Sequence, residues 1–212
     1  MFIIDLDDTL LNTQTFKQAR IKALHDLGVS DDLYKTSYKE AYNNASGINI
    51  YNSSSHAEVL AKHGFDRKEI LSALQRVEEG LKDLLFPGTE DLLNFLKEKR
   101  QKLILLSLGE EGFQKMKIKQ TGLAKFFDLI FTVNDTKEHI IQKILKDYPD
   151  EQEVWLVNDK IDETKKIKQL FPILKPILKM SPVFNEAEYK DSSINYFSTL
   201  TQIKQYVEQQ LG

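Results

Sequence analysis

Four short apolar runs, Phe2-Ile3-Ile4, Leu103-Ile104-Leu105-Leu106, Leu129-Ile130-Phe131 and Val154-Trp155-Leu156-Val157, each end on polar or small residues. They are too short for helices and lack alternation, so they read as strands buried on both faces of a parallel sheet. A fifth candidate, Ile177-Leu178, follows Pro176, a position where a strand tolerates proline. Helical patterns fill the gaps. The segment 89–99 puts Leu92, Leu93, Phe95 and Leu96 on one face behind a Pro87-Gly88 turn. Segments 112–122, 138–147 and 162–170 occupy the other gaps, and 194–197 followed by 200–211 reads as a short strand and a closing helix. Strands alternating with helices imply right-handed crossovers and a doubly wound α/β fold, Rossmann-like with a parallel sheet.

The interval between the first and second runs breaks this rhythm. Helical stretches fall at 14–27, 31–45, 54–64 and 66–84, with punctuation at Gly28-Val29-Ser30, 47–55 and Gly64-Phe65-Asp66. A crossover needs only about a dozen residues. The interval therefore reads as an all-helical domain, 14–84, inserted into a core made of 1–13 and 85–212. Within it Tyr34, Tyr38 and Tyr42 form a stripe that reads as packing in preference to a substrate-facing wall, and the polar loop 43–55 carries Gly47. His25, His56, His63 and His139 show no ligand spacing and read as surface or packing residues.

Composition narrows the partners. The chain has 212 residues, 41% hydrophobic and 29% charged, with a net charge of −3. No basic block supports nucleic acid or an anionic membrane as partner, and Lys165, Lys166 and Lys168 read as a solvated helix face. The absence of cysteine excludes disulfides, zinc–thiolate sites and thiol nucleophiles. No apolar run reaches the ~18 residues of a membrane span. The acids near the N-terminus do not suit a signal peptide, so a cytoplasmic location is expected, as monomer or homodimer.

The chemistry concentrates in Asp5-Leu6-Asp7-Asp8-Thr9, directly after the first run. Residues i and i+2 share a face of extended chain, so Asp5 and Asp7 are expected to project together. Two acids there are unfavourable without a cation or a shared proton. Ligands of open α/β sheets bind beyond the carboxyl ends of the strands, and paired carboxylates in that crevice suit Mg²⁺. Other polar residues follow the later strands in turn: Ser107 and Gly109, then Lys137, then Asn158-Asp159 with Asp162 and Glu163. Asp135 reads as a helix N-cap with Glu138 as its capping-box partner.

In these motifs the chain resembles the haloacid dehalogenase-like hydrolase superfamily over essentially its whole length, in the branch with a helical C1 cap. The resemblance implies a Mg²⁺-dependent phosphatase acting on a small phosphorylated metabolite. Asp5 would be the nucleophile, forming an aspartyl-phosphate, and Asp7 the general acid and then base. Thr9 would position the turn, Ser107 and Gly109 would contact the phosphoryl group, and Lys137 would offset its charge. The metal would sit on Asp5, Asp159 and the backbone carbonyl of Asp7. Independently of family, a carboxylate attacking a phosphate dianion needs cations to screen the approach, and the leaving alkoxide needs a proton.

The pattern departs from the family at three points. Leu108 stands where many members carry Asn, removing a side-chain contact to substrate. Asn158 replaces a usual Gly, which is expected to narrow the approach to the metal. The second acid of the last motif falls on Glu163, with Asp162 adjacent. A phosphomutase of the same superfamily, or a non-catalytic binding or regulatory protein on this fold, are the competing readings. Dehalogenation is disfavoured because dehalogenases of the superfamily lack the second acid, here Asp7.

Overall fold

The computed structural model describes residues 1–43 and 51–211. Part of the 43–55 loop, Gly47 included, therefore lies outside the described residues, as does the end of the 31–45 helical stretch. Six strands form one all-parallel sheet: β1 Phe2–Ile4, β2 Leu103–Leu108, β3 Leu129–Val133, β4 Val154–Asn158, β5 Leu174–Lys179 and β6 Asn195–Phe197. Their order is β3-β2-β1-β4-β5-β6. The core helices are α5 Thr89–Glu98, α6 Glu111–Thr121, α7 Glu138–Asp147, α8 Ile161–Leu170, α9 Glu186–Lys190 and α10 Leu200–Leu211.

Alternation along the strands builds two cores. Phe2, Ile4, Leu105, Trp155 and Val157 pack with Leu92, Leu96, Ile203 and Val207 of α5 and α10 on one face. Ile3, Ile104, Leu106 and Leu156 pack with Ile141, Ile144 and Ile167 of α7 and α8 on the other. Burial on both faces explains why these strands read as unbroken apolar runs. β3 differs from the expectation. It is one of the sheet's two edges, with no described strand beyond it, and Ile130 remains 38% exposed.

The insert is helical throughout its described part, with α1 Thr13–His25, α2 Asp31–Asn43, α3 Ser53–Ala61 and α4 Arg67–Glu79. Its helices start where side chains satisfy their free amides: Asn12 accepts from Thr15 N, Asn52 from Ser55 N, and Asp66 from the amides of Lys68 and Glu69. Leu24, Val29, Ala57, Leu60, Ile70 and Leu74 form a small core of its own. The chain leaves and re-enters the sheet domain at one place. There Leu11 bridges Leu85, Asn12 N donates to Leu84 O at 2.9 Å, and Phe86 N donates to Leu10 O at 2.8 Å. Among the described residues no helix is long and apolar enough to cross a membrane.

The insert also holds a buried polar network. His56, fully buried, bonds Ser37 Oγ through Nε2 and the Tyr51 hydroxyl through Nδ1, each at 2.9 Å. Arg20 bonds Ser53 and Glu78 at 3.1 and 3.2 Å, and also the Tyr51 hydroxyl. Burial, helped by Arg20, lowers the His56 pKa to about 4, so the ring is neutral at pH 7. A depressed folded-state value means the unfolded chain binds more protons between pH ~6.5 and ~4, so stability falls as pH drops through that window. The expected loss is about 3 kcal/mol from this one group. Urea midpoints at pH 7.5 and pH 4.5 measure it. His56→Phe, which cannot titrate, should flatten the difference, and an unchanged pH profile would contradict the assignment.

Candidate active site

The strand order reverses at β1, which lies between β2 and β4, so the crevice beyond its carboxyl end is the expected ligand site. Asp5 leaves β1 there, its amide still bonded to Val157 O of β4 at 3.0 Å. Its carboxylate is buried and accepts from Lys137 Nζ at 2.7 Å and from Thr9 Oγ1 at 3.2 Å. Lys137 begins α7, below which Ile141 and Ile144 anchor the helix to the sheet. Its ammonium also donates to Glu163 at 2.9 Å and to Asn158 Oδ1 at 3.2 Å.

The dipole of α7 disfavours a cation at its N-terminus, where Lys137 stands. Two carboxylates hold it there. One consequence corrects the capping assignment: Lys137 itself is the N-cap residue and no side chain caps the helix. Asp135 instead lies exposed near His139 at 3.7 Å, and Glu138 pairs with Lys166 at 2.5 Å. Placing Lys137 over Asp5 starts the helix two residues beyond Asp135, which removes it from capping range.

Glu163, rather than Asp162, completes this cluster. Asn158 Nδ2 donates to it at 2.9 Å and to Thr164 Oγ1 at 3.0 Å. Asn158 is thus buried inside the network and does not line the cavity, contrary to the expectation that it narrows the approach to a metal. The solvated lysine face of α8 is also modified: Lys168 reaches the carbonyls of Pro172 and Leu174 beyond the helix end.

Charge in this cluster is unevenly balanced. Burial and then two neighbouring acids draw on Lys137: desolvation opposes its charge, but Asp5 and Glu163 more than offset that and raise its pKa. Glu163 is buried too, yet Lys137 brings it below the usual carboxylate range. Asp5 goes the other way. Burial raises it, Lys137 offsets only part, and Asp7 and Glu163 add repulsion. The two shifts differ because one ammonium serves several acids. Asp159 is raised to about 8, first by burial and then by the charge of Asp5.

Lys137 and Lys160 thus offset only part of the negative charge that Asp5 and Asp159 bring together. Asp159 Oδ1 is buried without a hydrogen-bond partner. Among the described residues no three Asp, Glu, His or Cys side chains gather as a ready cage. Mg²⁺ does not require one, since it takes one or two carboxylates and keeps several waters. Two carboxylates at the ends of adjacent strands, one with an orphaned oxygen, fit that all-oxygen preference.

Asp7 is placed differently from Asp5. Both of its oxygens accept from Lys117 Nζ at 2.6 Å, Oδ1 also from Thr13 Oγ1 at 2.8 Å, and Oδ2 from Gln114 Nε2 at 3.1 Å. Its side chain is thus committed away from a metal, leaving only its backbone carbonyl for that part. Burial raises its pKa, but Lys117 with Thr13 and Gln114 outweighs burial and holds it below the usual range. The turn is kept by Asp8 in the left-handed region (φ 56°), whose carboxylate accepts from Thr13 N at 3.0 Å and Gln14 Nε2 at 2.7 Å.

Ser107, near the end of β2, is buried and its hydroxyl has no partner. Gly109 adopts φ 153°, and a Cβ there would lie 2.2 Å from Gln114 Nε2. Its lack of a side chain gives Gln114 room to reach both Asp7 and Leu108 O, the latter at 2.8 Å. Leu108 and Gly109 line a cavity of about 640 Å³ that also touches Asp7, Asp8 and Asp159 and is roofed by the insert. Sequence reasoning missed Gln114 and Lys117 of α6 and Arg20 of α1. A weak signal existed: Gln114, Lys117 and Thr121 share the helix face of Ile118, and all four are buried.

A family model described as haloacid dehalogenase-like hydrolase matches residues 2–169. The chain belongs to the haloacid dehalogenase-like hydrolases. No curated protein matches it. Solved structures share the fold at low identity. The β-phosphoglucomutase assigned in Thermotoga maritima is 17% identical with TM-score 0.67, covering 98% of each chain. YfnB from Bacillus subtilis, a hydrolase of the same class bound to magnesium, is 18% identical with TM-score 0.60, covering 97% of this chain and 96% of its own. L-2-haloacid dehalogenase from Xanthobacter autotrophicus is 14% identical with TM-score 0.63, covering 98% and 97%. For this haloacid dehalogenase-like hydrolase the neighbours thus span mutase and dehalogenase chemistry, and its reaction rests on its own residues.

Proposed function

We propose that the chain is a Mg²⁺-dependent phosphatase hydrolysing a small phosphomonoester through an aspartyl-phosphate on Asp5, with the helical insert as its cap. The observation that carries this reading is Asp7, a second carboxylate two residues from Asp5, held at the cavity by three donors. A dehalogenase has no use for an acid there. A phosphoester does, first to protonate the leaving oxygen and then to activate water.

Lys137 holds the Asp5 carboxylate with Oδ1, and Thr9 holds Oδ2, which fixes the nucleophile's orientation. The buried, unpartnered Ser107 hydroxyl is available to a phosphoryl oxygen. Asp5 and Asp159 would hold Mg²⁺ with the Asp7 carbonyl, and when bound the ion would offset charge on the phosphoryl group. Transfer runs through a loose transition state, so positioning and electrostatics are the main contributions this site makes. With Lys117 paired, Asp7 is ionised and poised as the base of the second step. Its acid role in the first step requires that pairing to loosen as the dianionic substrate arrives.

The test is hydrolysis of an aryl phosphate with Mg²⁺. Turnover should appear with the metal, vanish with chelator, and drop to the buffer blank in Asp5→Asn. Beryllium fluoride should add density at Asp5 alone. Turnover that ignores both chelator and Asp5→Asn would reject the reading.

A further inference from the structure

We propose that the cavity selects a phosphoester whose organic group is a planar aromatic ring, laid against the tyrosine wall of the insert. This deepens the phosphatase reading and rests on it for the phosphoryl end only. The stripe Tyr34, Tyr38, Tyr42 packs within the insert, as expected, and it also lines the 640 Å³ cavity, together with Tyr51, Phe16 and Phe113. Leu108 is the one aliphatic side chain among the lining residues described. The volume falls within the ~300–1,000 Å³ of sites that enclose a sizeable organic molecule. A two- or three-carbon phosphoester would leave most of it empty.

The wall is built rather than incidental. Tyr38 stacks on Tyr34 at 5.7 Å and on Tyr51 at 4.9 Å between ring centroids. Tyr51 is held by its hydroxyl, bonded to Arg20 and to His56, and His56 is held in turn by Ser37. The Arg20 guanidinium lies over the Tyr51 ring at 4.7 Å and near Phe16 and Phe113 at 5.3 and 5.4 Å. An aromatic surface fixed before binding loses little freedom when a ring stacks on it. Ring faces reward planar partners through offset or edge-on contacts. The rest of the lining includes the polar Lys17, Glu110, Asn134, Asp135 and Lys160, so it is the tyrosine wall and not the cavity as a whole that favours a ring, and there Arg20 and the Tyr51 hydroxyl are already bonded to each other.

Two phosphonates of matched size separate the wall from the chemistry, because neither can be hydrolysed. Benzylphosphonate and cyclohexylmethylphosphonate, titrated calorimetrically with MgCl₂ present, differ in planarity and little else. Benzylphosphonate should bind about tenfold tighter. Tyr38→Leu, which keeps an apolar side chain and removes the ring, should reduce that ratio to near one, and Tyr34→Leu should reduce it partly. Equal affinities, binding by neither, or a preference that survives both substitutions overturns the proposal. Hydrolysis of benzyl phosphate is scored separately. Selective phosphonate binding without that hydrolysis would leave the aromatic site standing and reject the phosphatase reading alone.

Discussion

Asp7→Asn is expected to lower kcat by about 10²–10⁴-fold, the range general acid–base catalysis supplies. The amide cannot exchange the proton that the leaving oxygen and the attacking water require. Its Oδ1 can still accept from Thr13 and Lys117, but its Nδ2 replaces the oxygen that accepted from Lys117 and Gln114 and leaves buried Lys117 without a counter-charge. Some stability should be lost as well, and kcat is compared at a temperature where the variant is folded. The Mg²⁺ requirement and KM should therefore change little, since Asp7 offers a metal only its backbone. Substrate dependence sharpens the result. Alkyl phosphates, whose leaving group needs protonation, should suffer more than aryl phosphates, whose phenolate leaves unaided. An equal loss on both would leave Asp7 only the base role of the shared second step, and a loss confined to metal binding would take the acid–base role away from it altogether.

Lys137→Met should cost stability as well as activity. It strips the one ammonium from a buried cluster in which Asp5 and Glu163 depend on it at 2.7 and 2.9 Å. Breaking a buried pair by removing one partner typically destabilises by about 3–5 kcal/mol, because the remaining charges stay desolvated. Here two acids are orphaned together. Adding Asp5→Asn to the variant should recover part of the loss, since it removes one of the unpaired charges. Urea denaturation of the two single variants and the double completes the cycle. Strict additivity would show that Lys137 and Asp5 do not act as a pair.

The parallel sheet was legible because buried strands leave uninterrupted apolar runs; β3 misled by remaining half exposed, and β5 by starting at Leu174, which puts Pro176 inside the strand and not at its start. The placement of Asp5, Ser107, Lys137 and Asp159 was legible because each follows or closes a strand that ends at the same rim, so position in the chain reports position in space. Lys117 and Gln114 were not. They sit among alternating lysines on α6, and only the fold brings them 110 and 107 residues along the chain to Asp7. Arg20 and His56 escaped for the same reason, since nothing in a helix's own pattern reveals which polar side chain will be buried against a partner. Gly109 lines the cavity, and the space it leaves for Gln114 was not legible, because it depends on where α6 packs.

The double crossing at Leu11 and Leu85 has a mechanical result. The four-helix lobe is joined to the sheet by two adjacent threads, and Thr13, the first residue of α1, is two positions from one of them. Thr13 also grips Asp7 through its hydroxyl and Asp8 through its amide. Any swing of the lobe about these threads must pull on both grips at once. On the proposed reading, closing the cavity and aiming Asp7 would be coupled through Thr13, and a substitution there is expected to loosen the two together.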